Sequence, residues 1–240
     1  AQRVPGVLGV HLEGPYLNAA RKGVHDPSKF HTPDAGELDL VASLGEDGVT
    51  LVTLAPERFD AATLQALAAR GVIIAAGHTA ATYEQLRDAF AAGITGVTHL
   101  FNAMTPMNSR EPGAVGASLE NPDAWCGLIV DGYHVHDAAL RVAIAARPRG
   151  KMMLVTDAMP PVGGEREAFS LYGVEMICRD GQCTTADGTL AGSALDMASA
   201  VRNTVQRLGL PLEEACRMAS QYPAEFIGLG GELGRIAPGY

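Results

Sequence analysis

Four apolar runs in this chain each end on a side chain suited to metal binding or proton transfer. They are Val7-Leu8-Gly9-Val10-His11-Leu12-Glu13-Gly14, Val72-Ile73-Ile74-Ala75-Ala76-Gly77-His78, Ile94-Thr95-Gly96-Val97-Thr98-His99 and Met152-Met153-Leu154-Val155-Thr156-Asp157. A repeated strand-then-ligand pattern constrains the fold strongly. A β/α barrel gathers residues that are distant in sequence at the C-terminal ends of its parallel strands. Between the runs lie stretches of helical period, at Ala61 to Arg70 stopped by Gly71, Ala81 to Ala92 stopped by Gly93, and Asp137 to Ala146. Continuous apolar runs alternating with amphipathic helices predict a parallel sheet covered by helices.

Six strands are expected, near 7–12, 49–54, 72–77, 94–100, 126–130 and 152–156. A closed barrel of this type needs about eight. Because Ala1 lies just before the first strand, the two absent strands belong most naturally at the N-terminus. The expected class is therefore α/β, a (β/α)8 TIM-like barrel without its first two strands; an open six-stranded sheet is the alternative. Residues 158–230 are expected to hold a hairpin, Val174 to Cys178 against Gln182 to Thr185 about Asp180-Gly181. Helices near Asp196–Leu208, Leu212–Ser220 and Ala224–Ile227 follow.

With 47% hydrophobic residues, 240 residues can bury one full core, so 1–240 reads as a single partial barrel domain. A net charge of −9 argues against a broad nucleic-acid or anionic-membrane surface, and no run reaches the length of a membrane span. It leaves room for a small anionic ligand, which one Arg and a few backbone N–H groups can hold. The cysteines, Cys126, Cys178, Cys183 and Cys216, have no C-x-x-C spacing, and no charged segment leads into an apolar one at the start. The plain expectation is a cytoplasmic protein with free thiols.

Side chains alternate along a strand, so Glu13 shares a face with His11, while His78 and His99 end their strands where barrel active sites lie. One Glu and two His are a credible three-ligand set for zinc that leaves a position open for water. The bland alternative is three buried residues satisfied by backbone groups. Asp157, at a fourth strand end, can move a proton beside such a metal, and His134, after the fifth strand, can polarise a substrate carbonyl. Taken alone, Asp157 also suits a helix cap and His134 an exposed loop.

His11-Leu12-Glu13-Gly14-Pro15-Tyr16, Ala76-Gly77-His78-Thr79, Thr98-His99-Leu100-Phe101-Asn102-Ala103-Met104 and Thr156-Asp157-Ala158 resemble the N-acetylglucosamine-6-phosphate deacetylases of the metal-dependent amidohydrolase superfamily. Lys22-Gly23-Val24-His25, Asp131-Gly132-Tyr133-His134-Val135 and Leu190-Ala191-Gly192-Ser193 fit the same pattern in the same order. The resemblance implies that Glu13, His78 and His99 hold one divalent metal, zinc or iron, and that Asp157 is the acid/base. It implies that His134 contacts the substrate near the scissile amide, and that Asn102, the N–H of Ala103, and Arg110 bind phosphate. It implies as well that Leu190 lies over the substrate; His25, after the Lys22-Gly23 turn, is expected to line the site, with a loop His of no function as the alternative. The implied partners are a small phosphorylated amino sugar and a second copy in a homodimer, with no nucleic acid or membrane.

The resemblance also implies an accessory β-sandwich, most of which is absent; residues 231–240 resemble its entry. The H-x-H motif of many amidohydrolases would fall before Ala1, leaving a second metal open. Such a chain is expected to be either a piece of a longer polypeptide or one whose exposed strands a neighbour covers. Two further readings stay open: an amidohydrolase acting on another N-acyl substrate, and an inactive barrel that binds metal or sugar phosphate.

Overall fold

Parallel pairing joins six strands in strict chain order. In the computed structural model, which describes residues 6–147, 149–164 and 167–238, these are β1 (Gly9–Glu13), β2 (Val49–Leu54), β3 (Ile73–Ala76), β4 (Gly96–Val97), β5 (Trp125–Leu128) and β6 (Met152–Leu154). A helix accompanies each crossover: α1 (Ala35–Val41), α2 (Ala61–Ala69), α3 (Tyr83–Ala91), α4 (Gly113–Glu120) and α5 (Asp137–Ala145). The sequence pattern marked α2, α3 and α5 but neither α1 nor α4. The first is short, and starts from a capping box of Asp34 and Glu37; the second carries two glycines among small residues, which blurs its period.

The sheet is strongly curled. Glu13 ends β1 and His99 follows β4, with two strands between them, yet their side chains meet at 3.0 Å. Three strand spacings across a flat sheet would separate them by about 14 Å. Among the described residues no ladder joins β6 back to β1, so the curl is that of a half-barrel. Val7, Leu8 and Val10 are exposed along the β1 side. The main core lies between sheet and helices, where Val52, Ile74 and Leu128 meet Leu64, Leu86 and Leu140, all buried. Each such side chain contributes about 1.5–3 kcal/mol by leaving water. Inside the curl, His11, Ala75, Thr98 and Val155 line a cavity of about 290 Å³ with Phe226.

Beyond β6 the expected hairpin is the centre of a larger antiparallel sheet, ordered β10–β9–β8–β7, with β7 (Ala168–Leu171), β8 (Val174–Arg179), β9 (Gln182–Thr185) and β10 (Leu190–Ser193). Asp180 (φ 52°) and Gly181 (φ 86°) both take the left-handed backbone that a tight two-residue hairpin turn needs. That turn sets Cys178 directly opposite Cys183, with Cα atoms 4.0 Å apart, and the two are joined by a disulfide. The expectation of four free thiols is thus corrected: Cys126 and Cys216 are free. Strand register brought the pair together, a relation that spacing rules for metal or redox motifs do not register. The chain closes with α6 (Met197–Leu208), α7 (Leu212–Ala219) and α8 (Gln221–Phe226). Residues 231–238 make turns without a strand, and 239–240 lie outside the described residues. No helix is long and apolar enough to cross a membrane among the described residues.

Candidate metal and catalytic site

Side-chain alternation explains part of the site and fails for the rest. On β2, Thr53 points into the curl, where its Oγ1 bonds both His11 Nε2 (2.7 Å) and Thr98 Oγ1 (2.6 Å). Gly77 occupies the same layer: a Cβ there would lie 2.6 Å from Thr53 Cγ2 and 3.1 Å from Thr98 Cβ. With Gly77 and Thr98 facing inward, strict alternation would turn their successors, His78 and His99, outward. Both instead take left-handed backbone, φ 47° and 34°, and their side chains swing back to the mouth of the curl. Asp157 shares the device with φ 52°. Non-glycine residues in this region cost of order 1–3 kcal/mol each, so finding it at all three of these strand-end residues marks a place where side-chain direction overrides backbone comfort.

The result is a tight triangle of ligand atoms. Nε2 of His99 stands 3.0 Å from Oε1 of Glu13 and 3.1 Å from Nε2 of His78, and the third side, His78 to Glu13, is 3.1 Å. Nδ1–H of His78 donates to the carbonyl of Arg21 at 2.7 Å, which leaves Nε2 as a bare lone pair in the neutral ring. Burial would raise the Glu13 carboxyl, but hydrogen bonds and charge from the two imidazoles hold it far below the usual carboxylate range. For His99, burial opposes protonation, and the Glu13 carboxylate outweighs it and raises the ring above its ordinary value. His99 Nδ1 is buried with no hydrogen-bond partner among the described residues.

His25 stands edge-on to His78 with ring centroids 4.7 Å apart, and it offers a nitrogen within 4.8 Å of the Glu13 and His78 ligand atoms. Burial, then the neighbouring His78, hold its ring below the ordinary histidine value. Glu13, His25, His78, His99, His134 and Asp157 all line one cavity of about 630 Å³. Asp157 is also tied to the second sheet, its carbonyl accepting from Ser193 N (2.8 Å). His134 Nδ1 donates to Asp131 Oδ2 at 2.6 Å.

Of the residues expected to touch substrate, Asn102, Ala103 and Leu190 line the same cavity. The Asn102 amide donates to the carbonyls of His99 (3.1 Å) and Leu100 (3.3 Å), so its Oδ1 is the atom left to meet a ligand. Ala103 sits at φ 49°. Arg110 lies on the exposed segment 106–111 and is not among the residues lining the cavity. Sequence reading missed the carbonyl of Arg21, the hydroxyl of Thr53 and the carboxylate of Asp131. It also missed Tyr172, which joins the cavity wall from the β7–β8 turn. Asp131 alone had a signal, its place three residues before His134.

Residues 2–240 match the model of the amidohydrolase family. The chain belongs to that family. This amidohydrolase is 42% identical over 238 residues to the N-acetylgalactosamine-6-phosphate deacetylase of Shewanella sp. (strain ANA-3), a match covering 99% of the chain and 60% of the relative. It is 38% identical to the N-acetylglucosamine-6-phosphate deacetylase of Haemophilus influenzae, over 97% of the chain and 61% of the relative. The crystal structure of N-acetylglucosamine-6-phosphate deacetylase from Pasteurella multocida resembles it with a TM-score of 0.93 at 36% identity, over 98% of this chain and 62% of that one. The chain thus spans about three-fifths of the length of the relatives it matches. Its curled sheet of six parallel strands has the TIM-barrel amidohydrolase fold, with fewer strands than the full barrel of about eight.

Proposed function

We propose that this site hydrolyses the acetamide of N-acetylglucosamine 6-phosphate, yielding acetate and glucosamine 6-phosphate. One observation carries the reading: the Glu13–His78–His99 triangle shares a single cavity with Asp157 and His134. The residues fit a divalent metal, because three donors converge within 3.1 Å of one another and the His78 ring is already fixed through its other nitrogen. Zinc or iron held there would polarise the amide carbonyl and acidify the attacking water. Asp157 takes the water's proton and returns it to the nitrogen as the C–N bond breaks. His134 donates toward the carbonyl oxygen as charge develops there. Asn102 and the N–H of Ala103 hold the phosphate from the cavity wall, and Arg110 reaches it from the exposed segment 106–111 outside that wall, while Leu190 and His25 flank the sugar. A cytoplasmic setting and a homodimer belong to the same reading.

A second reading has its own support: two relatives at 42% and 41% identity are N-acetylgalactosamine-6-phosphate deacetylases, beside N-acetylglucosamine-6-phosphate deacetylases at 40%. The two substrates differ only in the configuration of one ring hydroxyl. The test is acetate release by zinc- or iron-loaded protein from each phosphorylated sugar and from unphosphorylated N-acetylglucosamine. The primary reading expects the glucosamine phosphate to be preferred and the unphosphorylated sugar to be poor. Preference for the galactosamine phosphate would install the second reading, and a folded, metal-loaded protein that releases no acetate would overturn both.

A further inference from the structure

We propose that Asp131 is a positioning residue that acts through His134, fixing which nitrogen of the ring faces the substrate and balancing the charge the ring carries when it donates. The inference rests on the role given to His134 above. Asp131 and His134 have side chains only 3% and 6% exposed. Oδ2 of Asp131 accepts Nδ1–H of His134 at 2.6 Å, and Oδ1 accepts the N–H groups of Tyr133 (2.9 Å) and His134 (3.0 Å). A carboxylate can only accept, so the Nδ1 proton is committed. A neutral ring in that tautomer has a bare Nε2, which can accept a hydrogen bond but cannot give one to a carbonyl oxygen. Donation requires a second proton, and the nearly buried carboxylate 2.6 Å away supplies the opposing charge. Burial works against an ionised Asp131, yet the His134 ring and the two N–H groups hold its carboxyl below the ordinary range.

The loop that carries the pair has further anchors besides that carboxylate. Asn203 Nδ2 donates to the carbonyl of Val130 (2.8 Å), and Arg207 Nη1 donates to that of Asp131 (2.9 Å). Arg207 is itself held by two bonds to Asp137, at 3.1 and 3.0 Å. Gly132 (φ 89°) admits this guanidinium, since a Cβ there would stand 2.2 Å from its nitrogens. On the other side Tyr133 Oη donates to the carbonyl of Asp180 (2.6 Å) in the β8–β9 turn. Removing the carboxylate charge therefore leaves the loop in place and alters what His134 can do.

The experiment uses Asp131→Asn, which keeps Oδ1 for the two N–H groups but turns an NH₂ donor toward Nδ1. In the metal-loaded protein, ¹⁵N spectra of labelled histidine should show His134 moving from the Nδ1–H to the Nε2–H form. For acetate release from the preferred sugar phosphate, kcat should fall about 10- to 100-fold, as a charged donor is replaced by a neutral one, with KM within about threefold. In a His134→Gln background the same change should cost nothing further. Asp131→Ser, whose hydroxyl can still accept from the turn, repeats the measurement should the first variant unfold. An unchanged kcat in folded Asp131→Asn, or an equal loss with and without His134, would overturn the positioning role. If His134→Gln alone keeps native turnover, the underlying reading of His134 is what fails.

Discussion

A methyl group added at Gly77 provides a quantitative test of how the inside of the half-barrel supports the site. It would stand 2.6 Å from Thr53 Cγ2 and 3.1 Å from Thr98 Cβ. Thr53 cannot simply rotate away, because it is fully buried and its Oγ1 is bonded to both His11 and Thr98. Overpacking of this kind costs about 1–3 kcal/mol, and the lower freedom of alanine in the unfolded chain returns about 0.4–1 kcal/mol. Gly77→Ala should therefore lose about 1–2 kcal/mol, which for a chain of 240 residues is about 2–8 °C in Tm. Thr53→Ser deletes the clashing Cγ2 and keeps the hydroxyl; alone it should cost about 1 kcal/mol for the lost methyl. Thermal unfolding by circular dichroism of the two single variants and the double closes the cycle. The double should be more stable than the sum of the singles by about 1 kcal/mol, and acetate release, depressed in Gly77→Ala because His78 is adjacent, should recover in parallel. Additivity within about 0.5 kcal/mol would refute the contact as the cause.

Three other outcomes follow from the same geometry. Asp157→Asn should retain bound metal, measured by atomic emission, while kcat for acetate release falls about 10²- to 10⁴-fold; near-native turnover would remove Asp157 as the proton carrier. Stripping the metal with a chelator should lower Tm by about 8–16 °C, the equivalent of about 4 kcal/mol of binding when metal is held at a thousandfold excess over Kd. A Tm indifferent to chelation, or a similar fall in a Glu13→Ala/His99→Ala variant, would count against the three-residue site. A thiol reagent at pH 8 should titrate the exposed Cys216 in the native protein and Cys126 only on unfolding, since burial pushes the Cys126 thiol up to about 12. Two more thiols should then appear after reduction; four reactive thiols in unfolded, unreduced protein would contradict the Cys178–Cys183 link.

Much of the architecture was legible because parallel strands buried on both faces read as unbroken apolar runs. The six strands lie close to where those runs do, and α2, α3 and α5 sit between them. What escaped did so for local reasons. β4 is two residues long, because the chain turns at Thr98 rather than continuing to Leu100. β7 and β10 lacked a strong pattern; β10 is Leu-Ala-Gly-Ser, a segment that pairs irregularly with β9 and carries none of the β-branched residues that announce a strand. The disulfide depended on register across a turn, which composition and spacing do not encode.

The site raises a sharper point, because its residues were legible while their orientation was not. Alternation along β1 does place His11 and Glu13 on one face, and the structure has both lining the inner cavity. The same rule applied from Gly77 or Thr98 sends His78 and His99 to the outer, helix-covered side, where two imidazoles facing apolar packing would be costly. Position at a strand end suggested the ligands; the left-handed backbone at φ 47° and 34° is what delivers them. That conformation needs local compensation: Gly77 keeps the layer beneath His78 free of a side chain, and the Arg21 carbonyl fixes the swung ring from above. A sequence carries the first of these as a glycine before the histidine. The second is a backbone atom 57 residues away, without a side-chain signature, and only the folded chain reveals it.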